Sequence, residues 1–139
     1  MPWLFYSLAL VSLLSTGQIV RAAEMTAECR SRIPGTVVKQ NQPIDGWTVK
    51  VAEQLHLSGS GMLAGAPETE TYLVPSRQTK DTHTYGFNKG DGERWLWCRY
   101  GGAGGVELAK RLDDKATTCT ITNKTKKREN TMTASVSCW

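Results

Sequence analysis

The sequence has only two histidines, His56 and His83, and no Cys-x-x-Cys pair or close Cys/His spacing. It therefore lacks the ligand pattern of a zinc site. It also lacks a nucleophile elbow, because Ser58-Gly59-Ser60-Gly61 has serine where the first glycine of G-x-S-x-G belongs. The cluster Gly101-Gly102-Ala103-Gly104-Gly105 has neither the lysine nor the spacing of a phosphate loop, and a strand pattern follows it. Neither histidine is tied by spacing to a nucleophile. His83 is in phase with Tyr85 and Phe87, as a partly buried structural histidine would be. The carboxylates Asp113-Asp114 and Glu68/Glu70 fall in loops or on solvent faces, where charge serves solubility. No catalytic residue, metal ligand or cofactor is assigned on these grounds, and no enzyme class stands out. Repeats and low-complexity stretches are missing too, which excludes collagen-like, coiled-coil and disordered chains. Seventeen Lys and Arg against thirteen Asp and Glu leave a formal charge of +4, too mild for a nucleic-acid binder of this size.

What is present bounds the rest. A chain of 139 residues has room for one domain. Leu4 to Leu14 is an apolar run of signal-core length, followed by a polar Ser15–Gln18 and by Val20-Arg21-Ala22, with small residues where a signal peptidase reads. The run is short for a bilayer span. The reading is a signal peptide over 1–22, cleaved after Ala22 or, alternatively, Ala23, and a single domain over 23–139 without a membrane span. Lipid anchoring is disfavoured because Glu28, not a small residue, precedes the first cysteine, Cys29. An exported chain meets oxidising surroundings, so Cys29, Cys98, Cys119 and Cys138 read as two disulfides.

Beyond an irregular lead-in over Ile33 to Asp45, short alternating runs dominate. They are Trp47–Val51, Leu55–Ser58, Thr69–Val74, His83–Phe87, Arg94–Tyr100, Val106–Arg111, Thr117–Thr122 and Met132–Cys138, with one possible helical turn over Pro75–Lys80. Such runs, separated by Gly, Pro, Asn and Asp, predict an all-β fold: a single antiparallel sandwich or barrel of seven or eight short strands.

Register follows from the loops. A hairpin at Gly101–Gly105 sets Cys98 opposite Leu108, and a turn at Leu112–Lys115 would set Leu108 opposite Cys119. On that register Leu96, Cys98, Tyr100, Val106, Leu108, Cys119 and Ile121 share one side. Cys98 and Cys119 would then lie about 10 Å apart, two strand spacings, beyond the reach of a disulfide. A final hairpin around Thr125–Arg128 places Cys119 opposite Cys138 and Ile121 opposite Val136. The predicted pairs are Cys119–Cys138 and, by what remains, Cys29–Cys98; cysteine spacing alone leaves the connectivity open.

Two surfaces are candidates for binding. Trp95, Trp97 and Arg99 alternate outward from Leu96, Cys98 and Tyr100, with Arg111 across from Trp95 and Glu107 across from Arg99. Tryptophan and arginine dominate protein-interface anchors, and the same face would also stack on sugar rings. The plain alternative is that the lead-in or a second sheet covers these rings. A secondary basic patch, Lys124, Lys126, Lys127 and Arg128, sits at the last hairpin tip, where it would engage an anionic partner or simply be solvated. Asn123-Lys124-Thr125 also matches the short glycosylation-acceptor pattern.

The pattern Cys29…Ile33, Gly46-Trp47, Gly65-x-Pro67, Leu73-x-Pro75, Trp95-Leu96-x-Cys98-x-Tyr100, Leu108, Leu112, Cys119 and Cys138 resembles the STY-type family of small uncharacterised bacterial periplasmic proteins. That resemblance implies an exported envelope location and four structural cysteines, and it carries no activity. In format the chain is also similar to periplasmic lysozyme inhibitors and to immunity proteins against secreted toxins, with no site residue transferred. The expectation is a non-enzymatic, monomeric binding module, periplasmic or secreted, engaging a protein or glycan of the bacterial envelope. The alternatives are an inhibitor or immunity protein against a cell-wall hydrolase or secreted toxin, and a small hydrolase without a recognisable motif.

Overall fold

A computed structural model of the chain describes residues 24–39, 42, 44–102 and 105–139. The expected signal peptide and its cleavage site lie outside the described residues, as do Pro43, Ala103 and Gly104.

Period-two burial builds every long element. In β6 (Arg94–Tyr100) Arg94, Leu96, Cys98 and Tyr100 are buried while Trp95, Trp97 and Arg99 are half-buried. The other strands are β1 (Met25–Cys29), β2 (Arg32–Pro34), β3 (Gln54–Ala64), β4 (Arg77–Gln78), β5 (Thr82–Gly86), β7 (Val106–Arg111), β8 (Thr118–Lys126) and β9 (Thr131–Cys138). Two short 3-10 turns, Gly35–Val37 and Pro67–Thr69, are the only helical elements among the described residues. The strands form two antiparallel sheets, β1-β9-β8-β5-β4 and β2-β3-β6-β7. The all-β expectation holds, with nine strands among the described residues because β4 and the first two strands were not anticipated.

The sheets face each other across Cys29, Leu57, Met62, Tyr85, Leu96, Tyr100, Ile121, Ala134 and Val136, all buried. Each aliphatic side chain withdrawn this fully from water is worth about 1.5–3 kcal/mol. A bridge from Cys29 on β1 to Cys98 on β6 ties one sheet to the other, Cα to Cα 5.6 Å. The second bridge joins Cys119 and Cys138, which are register partners on β8 and β9, 4.1 Å apart.

The registers of β6 on β7, with Cys98 opposite Leu108, and of β8 on β9, with Ile121 opposite Val136, are as predicted, although the last turn lies at 127–130, two residues later than expected, because Thr125 and Lys126 still pair with Met132 and Thr131. The pairing of β7 with β8 is not. These strands belong to different sheets, so Leu108 does not face Cys119 and is 41% exposed. The chain crosses between layers at Leu112–Thr117, where Arg94, 5% exposed, meets it. Its Nε donates to the Ala116 carbonyl at 2.8 Å, Nη2 donates to that of Asn88, and the guanidinium lies 4.9 Å from the Phe87 ring. A buried cation satisfied by carbonyls holds this crossing in place.

Three further expectations are corrected. Trp47 to Val51 alternates but forms no strand, and Trp47 is 76% exposed. Alternation marks a strand only where a neighbour supplies ladder bonds, and this segment has none among the described residues. Thr69 to Val74 contributes one bridge, Leu63 to Tyr72, rather than a strand. Pro75 to Lys80 contains β4 in place of a helical turn.

Candidate functional site

The outward face of β3 and β6 begins from two glycines. Gly61 is the register partner of Trp97, and a Cβ on it would sit 2.5 Å from the indole. Gly59, also on this face, leaves ordinary contact distance to the same ring. The Ser-Gly-Ser-Gly run is therefore a floor on which Trp97 lies flat against backbone, within a strand and not at a nucleophile elbow. Leu63, fully buried, continues the face, with Trp95 as its partner on β6 and Tyr72 as its bridge partner on the other side.

The segment after Gly65 then folds back over this floor. Ala64 N–H donates to the Thr71 carbonyl and Leu73 N–H to that of Met62. These bonds bring Tyr72 edge-on to Trp97, with ring centroids 5.8 Å apart and planes at 83°. Arg99 lies over Trp97 at 4.9 Å and over Tyr72 at 5.9 Å. Its Nη2 donates to Glu107 Oε2 at 2.9 Å, while the Tyr72 hydroxyl donates to Glu107 Oε1 at 3.0 Å. Glu107 thus accepts from both members that clamp the indole. Its hydrogen bond holds the Tyr72 phenol above its ordinary range, against the smaller opposing pull of Arg99. The same carboxylate raises the Arg99 guanidinium still higher.

A second chain of contacts runs beside the first. Trp95 Nε1 donates to Glu93 Oε2 at 2.7 Å, Arg111 pairs with Glu93 at 3.1 Å, and Arg111 Nη2 donates to Asp114 Oδ2 at 2.8 Å. That last bond lowers the Asp114 carboxyl.

The structure brings Trp95, Trp97, Arg99 and Arg111 onto one face. Neither described sheet covers them, and the Tyr72 segment overlies part of the Trp97 ring. Tyr72 and Glu93 complete the face and are absent from the sequence reading. The signal for Tyr72 was the β-prone run ending at Pro75, which pairs with β3 at a single bridge. The basic patch is elsewhere. Lys124, Lys126, Lys127 and Arg128 are exposed at the β8–β9 tip, and Lys126 meets Glu129 at 3.8 Å. The hollow beside that tip is lined by His56, Leu57 and Ser58 and includes none of the tryptophan-face residues. Among the described residues no three His, Cys, Asp or Glu side chains gather as metal ligands. No described helix is long and apolar enough to cross a membrane.

Chemically the face offers fixed aromatic edges, guanidinium groups and paired carboxylates.

Comparison with known proteins gives one family. No curated protein and no solved structure matches the chain at a significant level. The model of the type VI secretion system Tli immunity protein family matches residues 52–139, from the approach to β3 through the end of the chain, and so takes in the whole tryptophan face and three of the four cysteines. The resemblance noted in the sequence holds at the level of a small bacterial protein family, and the STY-type label is replaced. The chain belongs to the type VI secretion system Tli immunity protein family.

Proposed function

We propose that this chain is an immunity protein that neutralises a toxin delivered by type VI secretion, by binding it in the oxidising compartment of the bacterial envelope. The family match over 52–139 carries the reading. It favours an immunity role, the second of the expectations above, over a general envelope binder, and a protein partner over a glycan. It also favours a non-enzymatic chain. Two disulfides support an oxidising location, and residues 1–22 serve as the removable leader.

The contact surface in this reading is the face of Trp95, Trp97, Arg99 and Arg111, with Tyr72 beside them. Its side chains are already clamped by Glu93 and Glu107, so binding costs little ordering entropy. The exposed tip at Lys124, Lys126, Lys127 and Arg128 steers an acidic partner by charge, an effect on association rate that salt weakens.

The test is a contact-killing experiment with recipient cells that lack the chain, attacked by sister cells with an intact type VI system. Restoring the exported chain should restore recipient survival, and a version retained in the cytosol should not. Trp97→Ala at equal envelope abundance should protect poorly. Killing that continues in the presence of the exported wild type refutes the immunity role.

A further inference from the structure

The two sheets are unequal at one end. The bridge from Cys29 to Cys98 sets β1 over β6, and β1 is the last strand of its sheet. The facing sheet runs one strand further, to β7, so no described strand lies over the inward side of β7. That is why Leu108, directly across from buried Cys98, is 41% exposed.

The space left is an apolar groove of about 490 Å³. Leu96, Cys98 and Tyr100 of β6 form its floor, and Ile33, Pro34 and Leu108 stand at its sides. Its volume is in the range that takes an apolar side chain and its neighbours. Charge on the lining is lopsided. Arg30 and Lys110 contribute two cations, neither in an ion pair among the described residues, against the single carboxylate of Glu28.

Beside the groove runs a free backbone edge. Leu112 N–H donates to the Arg94 carbonyl at 2.8 Å, which fixes the phase of the β6–β7 ladder. Antiparallel bonding alternates, so Val106, Leu108 and Lys110 face β6 with their amides, while those of Glu107, Ala109 and Arg111 point away. No described strand receives them. A strand laid along this edge would gain ladder hydrogen bonds. Its alternate side chains would enter the groove beside Leu108 or lie outward beside Glu107 and Arg111, next to the Trp97 stack.

We propose that the toxin docks by adding an extended segment to the free edge of β7, with an apolar side chain in the groove and a carboxylate against Arg30 and Lys110. This rests on the immunity reading above and specifies how the partner is held. Main-chain bonds supply affinity, and the groove with its positive rim supplies selectivity.

The test uses the killing experiment with three exported variants and purified proteins. Ala109→Pro deletes one outward N–H without touching the bonds to β6. Leu108→Glu alters an already exposed side chain, so it keeps the fold, and it places a carboxylate where an acidic segment would lie. Gln78→Lys changes an exposed residue at the far edge of the other sheet and serves as control. With free-thiol content and unfolding midpoint matched to wild type, the first two should each lower recipient survival by about tenfold or more, the scale of one lost anchor. Gln78→Lys should protect like wild type. Full protection by Leu108→Glu overturns strand addition while leaving the immunity role intact. Failure of the wild type to protect overturns both. If purified wild type is a dimer that Ala109→Pro makes monomeric, the edge belongs to a second copy and the proposal is wrong.

Discussion

Trp97 owes its position to the absence of a side chain at Gly61. A methyl group there meets the indole at 2.5 Å, so Gly61→Ala must lift the ring off the strand and loosen its contacts with Tyr72 and Arg99. Overpacking of this kind costs about 1–3 kcal/mol. The same substitution in a Trp97→Ala background should be close to neutral, because the clash is gone. Urea denaturation of the four proteins measures the coupling, and additive effects would show that the indole does not rest on Gly61.

Tyr72 gives a second handle on the same cluster. Its phenol is raised because it donates to Glu107, so the folded state holds that proton more tightly than the unfolded chain does. The stabilising contribution is therefore present below the ordinary tyrosine range and is lost as pH rises through the folded value. Glu107→Gln should move the Tyr72 ionisation to lower pH, because the carboxylate is removed and Arg99 remains. Phenolate absorbance followed through an alkaline titration reports the shift, and an unmoved midpoint would mean that the bond is absent in solution.

Among elements, β6 and β7 were legible to the residue. Period-two burial on a central strand leaves Leu96, Cys98 and Tyr100 no other place, and a glycine loop joins the pair. The β8–β9 register was equally legible because two cysteines and an Ile/Val pair agree on it. The crossover after β7 was not. Leu112–Lys115 has the composition of a hairpin turn, but the buried Arg94, reaching from β6 to Ala116, and the backbone bonds of Thr117 with Phe87 and Trp139 hold the chain on its way to the other sheet. β1 escaped notice because Thr26, Ala27 and Glu28 carry little hydrophobic signal, and the strand depends on pairing with β9. The tryptophans were legible as a face. Tyr72 was not legible as its cover, since one bridge leaves almost no periodicity.

The disulfides act on different elements, and their removal should differ accordingly. Cys119–Cys138 closes 19 residues within one sheet, whereas Cys29–Cys98 closes 69 residues between sheets. Loop-closure entropy makes the longer bridge worth about 1 kcal/mol more, within a range of about 2–5 kcal/mol for either. Paired serine replacements compared by urea unfolding test the order. Equal losses would mean that the unfolded chain is already constrained near Cys29.

At the scale of the molecule, the two layers divide the work. The five-stranded layer turns threonine and serine outward along β8 and β9 and gathers Lys124, Lys126, Lys127 and Arg128 at the hairpin tip. The four-stranded layer carries the tryptophan face, the groove and the free edge. The proposed contacts from β7 and from the Trp97 stack are thus neighbours on one layer.

The order in which the cysteines pair has a consequence for how such a chain matures. Its first cysteine joins its second and its third joins its fourth, without interlacing. In a chain delivered amino end first, each bridge can close as its later partner arrives, and a simple oxidant that links successive thiols produces the native pattern. One step must wait: β1 finds its partner only when β9, the last strand, has emerged. In cells that export the chain, the native bridges should therefore form at nearly the same yield with or without the envelope's disulfide isomerase. A strong isomerase requirement, read by peptide mapping of the bridges over time, would show that wrong pairs form first and must be undone.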